Sequence, residues 1–133
     1  MSEESKQWVA VTVLVVRGAS VLAMQRASTA EAGPRLWEGI SGRVRPGEEP
    51  LDAARREVQE EAGLNVQIVE RPIAVYAARR ADEPMTVIVF LAQYEGGDLV
   101  LSSEHDAYRW CDAQTFSELG APPELVRLVR EHL

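Results

Sequence analysis

Residues 42 to 64 read GRVRPGEEPLDAARREVQEEAGL, and this stretch decides how the rest of the chain is interpreted. Its composition predicts a helix with marked ends. Pro50 suits the first helical position, where its missing N–H is not needed, and Gly63 suits the left-handed residue just past the end. At about 100° per residue, one stripe of this helix is apolar and should face a core. The residues on that stripe are Leu51, Ala54, Val58 and Ala62.

Acidic residues crowd the same segment. Glu57 and Glu61 are four residues apart and therefore neighbours along one edge of the apolar stripe, with Glu60 further round. Like charges at this spacing destabilise a helix. The four carboxylates, including that of Glu48, therefore repel one another unless a positive group lies among them. Arg56 can offset one carboxylate. A divalent cation offsets more, and carboxylate oxygens suit Mg²⁺ or Mn²⁺. The alternative interpretation is a charged, solvated helix face.

The spacing of the fixed residues resembles the signature of the Nudix hydrolases. The nine matching positions are Gly42, Glu48, Arg56-Glu57-Val58, Glu60-Glu61 and Gly63-Leu64. At average residue frequencies this pattern would recur by chance in roughly one window in 10⁹. The resemblance implies an α/β fold, the Nudix α/β/α sandwich with a mixed central sheet. It also implies metal-dependent hydrolysis of a nucleoside diphosphate linked to another group.

The resemblance also implies roles for residues of this stretch. The metal ligands that it implies are Glu57, Glu60 and Glu61, joined by a backbone carbonyl at Ser41 or Gly42. Glu60 and Glu61 are expected to act in catalysis, and Arg56 to orient the acids by ion pairing, with Glu48 in the same network. The implied cofactor is Mg²⁺ or Mn²⁺.

The general base is expected outside this stretch. Residues 103 to 106 read SEHD and precede the aromatic segment Tyr108-Arg109-Trp110. They resemble the Glu-His that precedes an aromatic strand in some nucleoside triphosphate-type Nudix enzymes. We therefore predict that Glu104 is the base or an additional ligand; the alternative is an ordinary acid of a surface loop. His105 titrates near neutral pH, but we expect it to be a surface or structural histidine.

Two positions depart from the family pattern. Ser41 stands where many members have a second glycine, which still permits a carbonyl ligand. Arg45 stands where many members have an acid, and it either contacts a substrate phosphate or faces solvent. Trp37 and Tyr76 are tentative stacking partners for a base, although Trp37 is also a candidate core residue. These residues do not identify the substrate.

Composition limits the class of protein. The length of 133 residues predicts one domain over residues 1–133. The formal net charge of −7 argues against binding a nucleic-acid polymer, but not against a nucleotide, because a bound metal inverts the local field. Cys111 is the only cysteine, so no intrachain disulfide is possible. No membrane segment or signal peptide is recognised, so a cytoplasmic protein is expected. A homodimer is possible.

Patterning along the chain predicts strands on both sides of the helix. The predicted strands are 8–16, 21–26, a short 36–41, 65–79 with an interruption at Pro72, a central 85–94, a short extended 99–101 and a last strand 108–111. Helices are predicted at 112–119 and from Pro122 to the end of the chain.

Several functions are compatible with these observations. The leading interpretation is a pyrophosphohydrolase of the nucleoside triphosphate type. The alternatives are an ADP-ribose or nucleotide-sugar hydrolase and a non-catalytic nucleotide-binding Nudix module. The intact acids count against a binding module, because such modules tend to lose them. An isopentenyl diphosphate isomerase would need a reactive cysteine, and Cys111 lies far along the chain from the signature.

Overall fold

The computed structural model describes residues 6–133. Within that range, four strands precede one long helix, four more strands follow it, and two helices come last. In chain order the elements are β1 (Trp8–Arg17), β2 (Ser20–Arg26), β3 (Trp37–Glu38), β4 (Ile40–Arg43), α1 (Pro50–Glu61), β5 (Asn65–Ile68), β6 (Ala74–Arg80), β7 (Glu83–Gly96), β8 (His105–Cys111), α2 (Ala113–Glu118) and α3 (Pro123–His132).

The strands form one mixed sheet around β1 and β7. These two strands run parallel in an unbroken register from Trp8 opposite Met85 to Val16 opposite Gln93. Strands β2 and β4 both pair antiparallel with β1, and β5 and β6 both pair antiparallel with β7. Strands β3 and β8 extend the sheet from β2. The apolar, β-branched sequences of β1 and β7 suit strands that are covered on both faces.

Helices cover both faces of this sheet. Side chains of β1 alternate, so that Val11, Val13 and Val15 join the cluster under α1, whereas Leu14 joins the cluster under α2 and α3. The second cluster also contains Phe116 of α2. The α/β/α sandwich with a mixed central sheet is therefore confirmed.

Several element boundaries differ from the sequence-based prediction, including the short strand 36–41, which divides into β3 and β4. The segment 65–79 divides into β5 and β6, separated by residues 69–73, which include Pro72. Strand β8 begins at His105, because its register with β2 continues past a bulge to pair Arg26 with His105. Residues 99–101 form no strand; instead the Val100 N–H donates to the carbonyl of Ala62 just past α1. The β1–β2 pairing is antiparallel.

None of the helices within residues 6–133 combines the length and apolar character needed to cross a membrane.

Candidate active site

Helix α1 carries two buried carboxylates on its inner face. It begins at Pro50 and ends at Glu61, and Gly63 just beyond it has a φ of 66°. Glu57 is 6% exposed and Glu61 is 3% exposed. Sequence patterning placed them at the edge of the apolar stripe, but they lie within the buried face beside Ala54 and Val58. Buried carboxylates require positive or hydrogen-bonding partners.

Strand β4 passes directly against the first of these carboxylates. A Cβ atom built at Gly42 would overlap the carboxyl carbon and both carboxyl oxygens of Glu57. Only a residue without a side chain fits at this position while Glu57 keeps its place. The glycine that opens the signature is therefore explained by close approach between β4 and α1.

Arg56 joins the acids of α1 to the loop before it. Its Nε and Nη2 donate to the two carboxyl oxygens of Glu48, each at 2.9 Å. Its Nη1 donates to Glu57 at 2.7 Å and to Glu60 at 3.1 Å, and its Nη2 also donates to the Arg43 carbonyl at 2.9 Å. One guanidinium thus serves three carboxylates, using the fork geometry that suits arginine to this task.

The carboxylates that Arg56 contacts differ in their proton affinity. The Arg56 hydrogen bond, helped by the backbone N–H of Arg45, lowers the pKa of Glu48 to about 2. Burial raises the pKa of Glu57 to about 7, although the Arg56 guanidinium partly offsets this effect. Desolvation therefore outweighs the ion pair at Glu57 but not at the more accessible Glu48.

Glu61 is held from the opposite side by the segment that leads into β8. Its Oε2 atom accepts a hydrogen bond from Ser102 Oγ at 2.8 Å and lies 2.8 Å from His105 Nδ1. Burial alone would raise the pKa of Glu61, but hydrogen bonds from His105, Glu104 and Ser102 together lower it. Burial alone would lower the pKa of His105, but its bonds to Glu38 and Glu61 raise it to about 9.

Glu38 is a site residue that sequence reasoning missed. Its Oε2 atom lies 3.0 Å from His105 Nε2 and 3.3 Å from Arg26 Nη1. His105 is 5% exposed, so it is a buried residue and not a surface one. The only sequence signal for Glu38 was its position four residues before Gly42, where the chain approaches the signature.

Glu104, the predicted base, lies beside Glu61 at the surface. Its carbonyl accepts a hydrogen bond from Ala27 N–H at 2.8 Å, and its own N–H donates to Ser102 Oγ at 3.2 Å. A shared hydrogen bond with Glu61, added to burial and the Glu61 charge, raises the pKa of Glu104. A raised carboxyl pKa beside a site favours proton transfer near neutral pH. Its assignment as the base stays a prediction.

The three tentative substrate contacts lie in two different places. Arg45 is beside the acids, with its Nη2 atom 3.7 Å from Glu60 and its side chain 62% exposed. Trp37 and Tyr76 instead pack, partly buried, against the cluster under α2 and α3. Burial, together with the charges of Glu124 and Glu38, raises the pKa of Tyr76 to about 12. The structure thus brings Arg45 to the acid face but places the two aromatic residues against the other layer.

The donor atoms suit a divalent cation, although protein groups currently engage them. Within residues 6–133, no three His, Cys, Asp or Glu side chains converge as a ready-made metal site. Glu57 and Glu60 bond to Arg56, and Glu61 bonds to His105. Hard carboxylate oxygens on one helix face, with the Glu57 carboxyl group seated directly against Gly42 of β4, nonetheless fit Mg²⁺ or Mn²⁺.

Comparisons with known proteins agree with this geometry. The family model of the NUDIX domain matches residues 6–131. An asymmetrical bis(5'-nucleosyl)-tetraphosphatase of Rattus norvegicus is 38% identical over 105 residues, which span 69% of this chain and 70% of that protein. A CTP pyrophosphohydrolase of Escherichia coli strain K12 is 31% identical over 123 residues, spanning 90% of this chain and 86% of that protein. In fold, the chain is similar to the crystal structure of a MutT protein from Methanosarcina mazei Go1, with a TM-score of 0.85, 22% identity, and coverage of 98% of this chain and 95% of that chain.

The chain therefore belongs to the Nudix hydrolase family. Its enzyme class is that of the pyrophosphohydrolases, which cleave phosphoric anhydrides. Nudix hydrolases generally use divalent metal ions.

Proposed function

We propose that this enzyme uses Mg²⁺ or Mn²⁺ to hydrolyse an anhydride bond of a nucleoside polyphosphate. The observation that carries the proposal is the pair of buried carboxylates, Glu57 and Glu61, on the inner face of α1. Burying two acids four residues apart is costly without cations. Arg56 and His105 hold them from opposite sides, which is an arrangement suited to presenting carboxylate oxygens to a metal and its phosphate substrate.

Specific roles follow for the residues of α1. Glu57 and Glu61 would hold the cation, with Glu60 as a further ligand or water-positioning group and the Gly42 carbonyl as a backbone ligand. When bound, the cation neutralises charge on the phosphate oxygens and lowers the pKa of an attached water. Arg56 would keep the carboxylates oriented through its bonds to Glu48 and Glu57.

Glu104 would accept the proton of the attacking water. Its carboxylate lies beside Glu61 on an exposed segment, so water and substrate can reach it. Attack forms a new P–O bond at one phosphorus while the bridging P–O bond breaks, and the leaving phosphate retains the bridging oxygen. Because the acid beside it raises its pKa, Glu104 binds a proton more readily than an isolated carboxylate.

For the substrate, we propose a dinucleoside tetraphosphate that is cleaved asymmetrically. The similarity to the asymmetrical bis(5'-nucleosyl)-tetraphosphatase of Rattus norvegicus supports this class. Arg45, exposed beside Glu60, would meet a phosphate beyond the scissile bond. Trp37 and Tyr76 pack against the other face of the sheet, so we assign them no contact with the substrate.

A nucleoside triphosphate is the second candidate. The similarity to the CTP pyrophosphohydrolase supports it, because that match spans 90% of this chain. The segment around Glu104 also favours a nucleoside triphosphate, because it resembles the Glu-His of some nucleoside triphosphate-type Nudix enzymes. For the isomerase alternative, the thiol environment is unfavourable: Cys111 is buried in the cluster under α2 and α3, and burial raises the pKa of its thiol.

A phosphorus NMR screen in ¹⁸O-labelled water with Mg²⁺ tests both candidates. An asymmetric cut of a dinucleoside tetraphosphate gives a nucleoside monophosphate and a triphosphate, whereas a nucleoside triphosphate gives a monophosphate and pyrophosphate. ADP-ribose and nucleotide sugars complete the panel. Glu61→Gln, which keeps shape but removes charge, should lower turnover at least about 10²-fold if Glu61 holds the metal. Nucleotide binding without cleavage of any compound would favour the non-catalytic module.

Three further properties stay predictions. We propose that residues 1–133 act as one Nudix domain and that the enzyme works in the cytoplasm. A homodimer is the third, and sedimentation velocity of the purified chain distinguishes it from a monomer.

A further inference from the structure

His105 bridges two carboxylates in the protein interior. Its side chain is 1% exposed. Nδ1 lies 2.8 Å from Glu61 Oε2, and Nε2 lies 3.0 Å from Glu38 Oε2. The two ring nitrogens of an imidazole point in fixed and different directions. The ring therefore links Glu38, at the end of β3, to the last residue of α1.

Both ends of this link are anchored. Arg26 Nη1 lies 3.3 Å from the same Glu38 oxygen, and Arg26 Nε donates to the Ala32 carbonyl at 2.8 Å. At the other end, Ser102 Oγ donates to Glu61 Oε2 at 2.8 Å. Ser102 and His105 thus converge on one carboxyl oxygen of Glu61. The second oxygen, Oε1, receives neither of these bonds.

We propose that His105 and Glu38 are positioning residues, which fix Oε2 of Glu61 and thereby present Oε1 to a divalent cation. The inference rests on the proposed metal-dependent function. Partners that hold a metal-binding side chain matter almost as much as the ligands, and losing one typically lowers metal affinity or activity by about 10–100-fold. Glu38 acts at a distance, since its contact with Glu61 runs through the His105 ring.

Substitutions of His105 can test its contact with Glu61 and its contact with Glu38 separately. An asparagine amide occupies the place of Nδ1 and keeps a donor toward Glu61, whereas a glutamine amide occupies the place of Nε2 and keeps a donor toward Glu38. Calorimetric titration of substrate-free protein with Mn²⁺ measures the effect. We expect His105→Gln to weaken Mn²⁺ binding by at least about tenfold and His105→Asn to weaken it less. His132→Asn is the matched control, because within residues 6–133 the His132 side chain bonds only to the Leu128 carbonyl of its own helix.

A double-mutant cycle tests whether Glu38 acts through His105. Glu38→Ala should weaken Mn²⁺ binding in the wild-type background but have no further effect beside His105→Asn, because the asparagine does not reach Glu38. Equal effects of Glu38→Ala in both backgrounds would overturn the positioning chain. Glu38→Gln keeps the shape of the side chain and provides the measurement if Glu38→Ala fails to fold.

The outcomes also separate this inference from the proposed function. Variants that melt earlier but bind Mn²⁺ with wild-type affinity would show a structural role alone, which overturns the inference and leaves the proposed function standing. A wild-type protein that binds no Mn²⁺ would overturn both. Affinity changes as expected, in an enzyme that cleaves no phosphate compound of the screen, would support the positioning role and refute the proposed hydrolysis.

Discussion

Replacing Gly42 with alanine is a direct test of the contact between β4 and α1. The added Cβ would overlap the carboxyl carbon and both oxygens of Glu57. The backbone at Gly42 lies outside the left-handed region, so alanine meets no conformational strain there and the effect is steric. Either Glu57 leaves its place or β4 and α1 move apart.

The size of the effect follows from how far the carboxylate must move. Reaching ordinary van der Waals contact requires a shift of roughly 1 Å or more, and misplacement on that scale can lower catalysis about 10²-fold. The shift also strains the 2.7 Å hydrogen bond from Arg56 to Glu57. Overpacking of this kind lowers the free energy of unfolding by about 1–3 kcal/mol. We therefore expect Gly42→Ala to fold and to lose about 10²-fold in kcat/KM.

Steady-state hydrolysis with Mg²⁺ and urea denaturation measure the two effects, and Gly18→Ala is the matched control. Gly18 lies in the β1–β2 turn at a φ of 59°, and an added Cβ there meets no atom within 4 Å. Its substitution should lower stability by about 1–2 kcal/mol through backbone strain without changing kcat/KM. Near-normal kcat/KM in Gly42→Ala, or an equal loss of activity in Gly18→Ala, would refute the assignment of Glu57 to the site.

Three further predictions concern the base, acid stability and the core. Glu104→Gln should lower kcat and remove the acid limb of its pH profile between about pH 6 and pH 10, while Mn²⁺ affinity is retained; an unchanged profile in steady-state assays would exclude Glu104 as the base. Arg56 lowers the pKa of Glu48 to about 2, so Glu48 stabilises the fold above its unfolded pKa and this stabilisation is lost as pH falls through about 4.5 to 2. In urea titrations, the stability difference between wild type and Glu48→Gln should therefore shrink from pH 6 to pH 3, and a constant difference would contradict the ion pair. Phe90→Ala should lower the free energy of unfolding by about 3–5 kcal/mol in the same assay, because Phe90 is 2% exposed under α1, whereas Val100→Ser, at a 72% exposed position, should change it little.

The sequence predicted those features that depend on neighbours along the chain. Helix α1 was predicted within a residue or two, because Pro50 and Gly63 mark its ends and the signature lies within it. The central strand β7 was recognised from its apolar run, although it extends beyond the predicted 85–94 to Glu83–Gly96. Helix periodicity also placed Glu57 and Glu61 on one face, but it did not show how deeply that face is buried.

Features that depend on strand register were not predictable in this way. The bonds of His105 join residues 44 and 67 positions apart in the chain. They exist because β8 pairs with β2 through a bulge that sets His105 opposite Arg26. A bulge shifts the register by one residue, and such a shift changes which side chains meet. No local pattern around Glu38 or His105 encodes that shift.

Glu61 and Glu57 of α1 differ in how far neighbouring groups compensate the free-energy cost of burying a carboxylate. Glu61 is compensated within the protein, because His105 and Ser102 lower its pKa despite burial. Glu57 is not fully compensated, because burial raises its pKa to about 7 even though Arg56 donates a hydrogen bond to it at 2.7 Å. Arg56 also contacts Glu48 and Glu60, and the cost of burying Glu57 exceeds the compensation that Arg56 provides. The need for further positive charge is therefore greater at Glu57, whose carboxyl group lies against Gly42, whereas Glu61 is already held by His105 and Ser102.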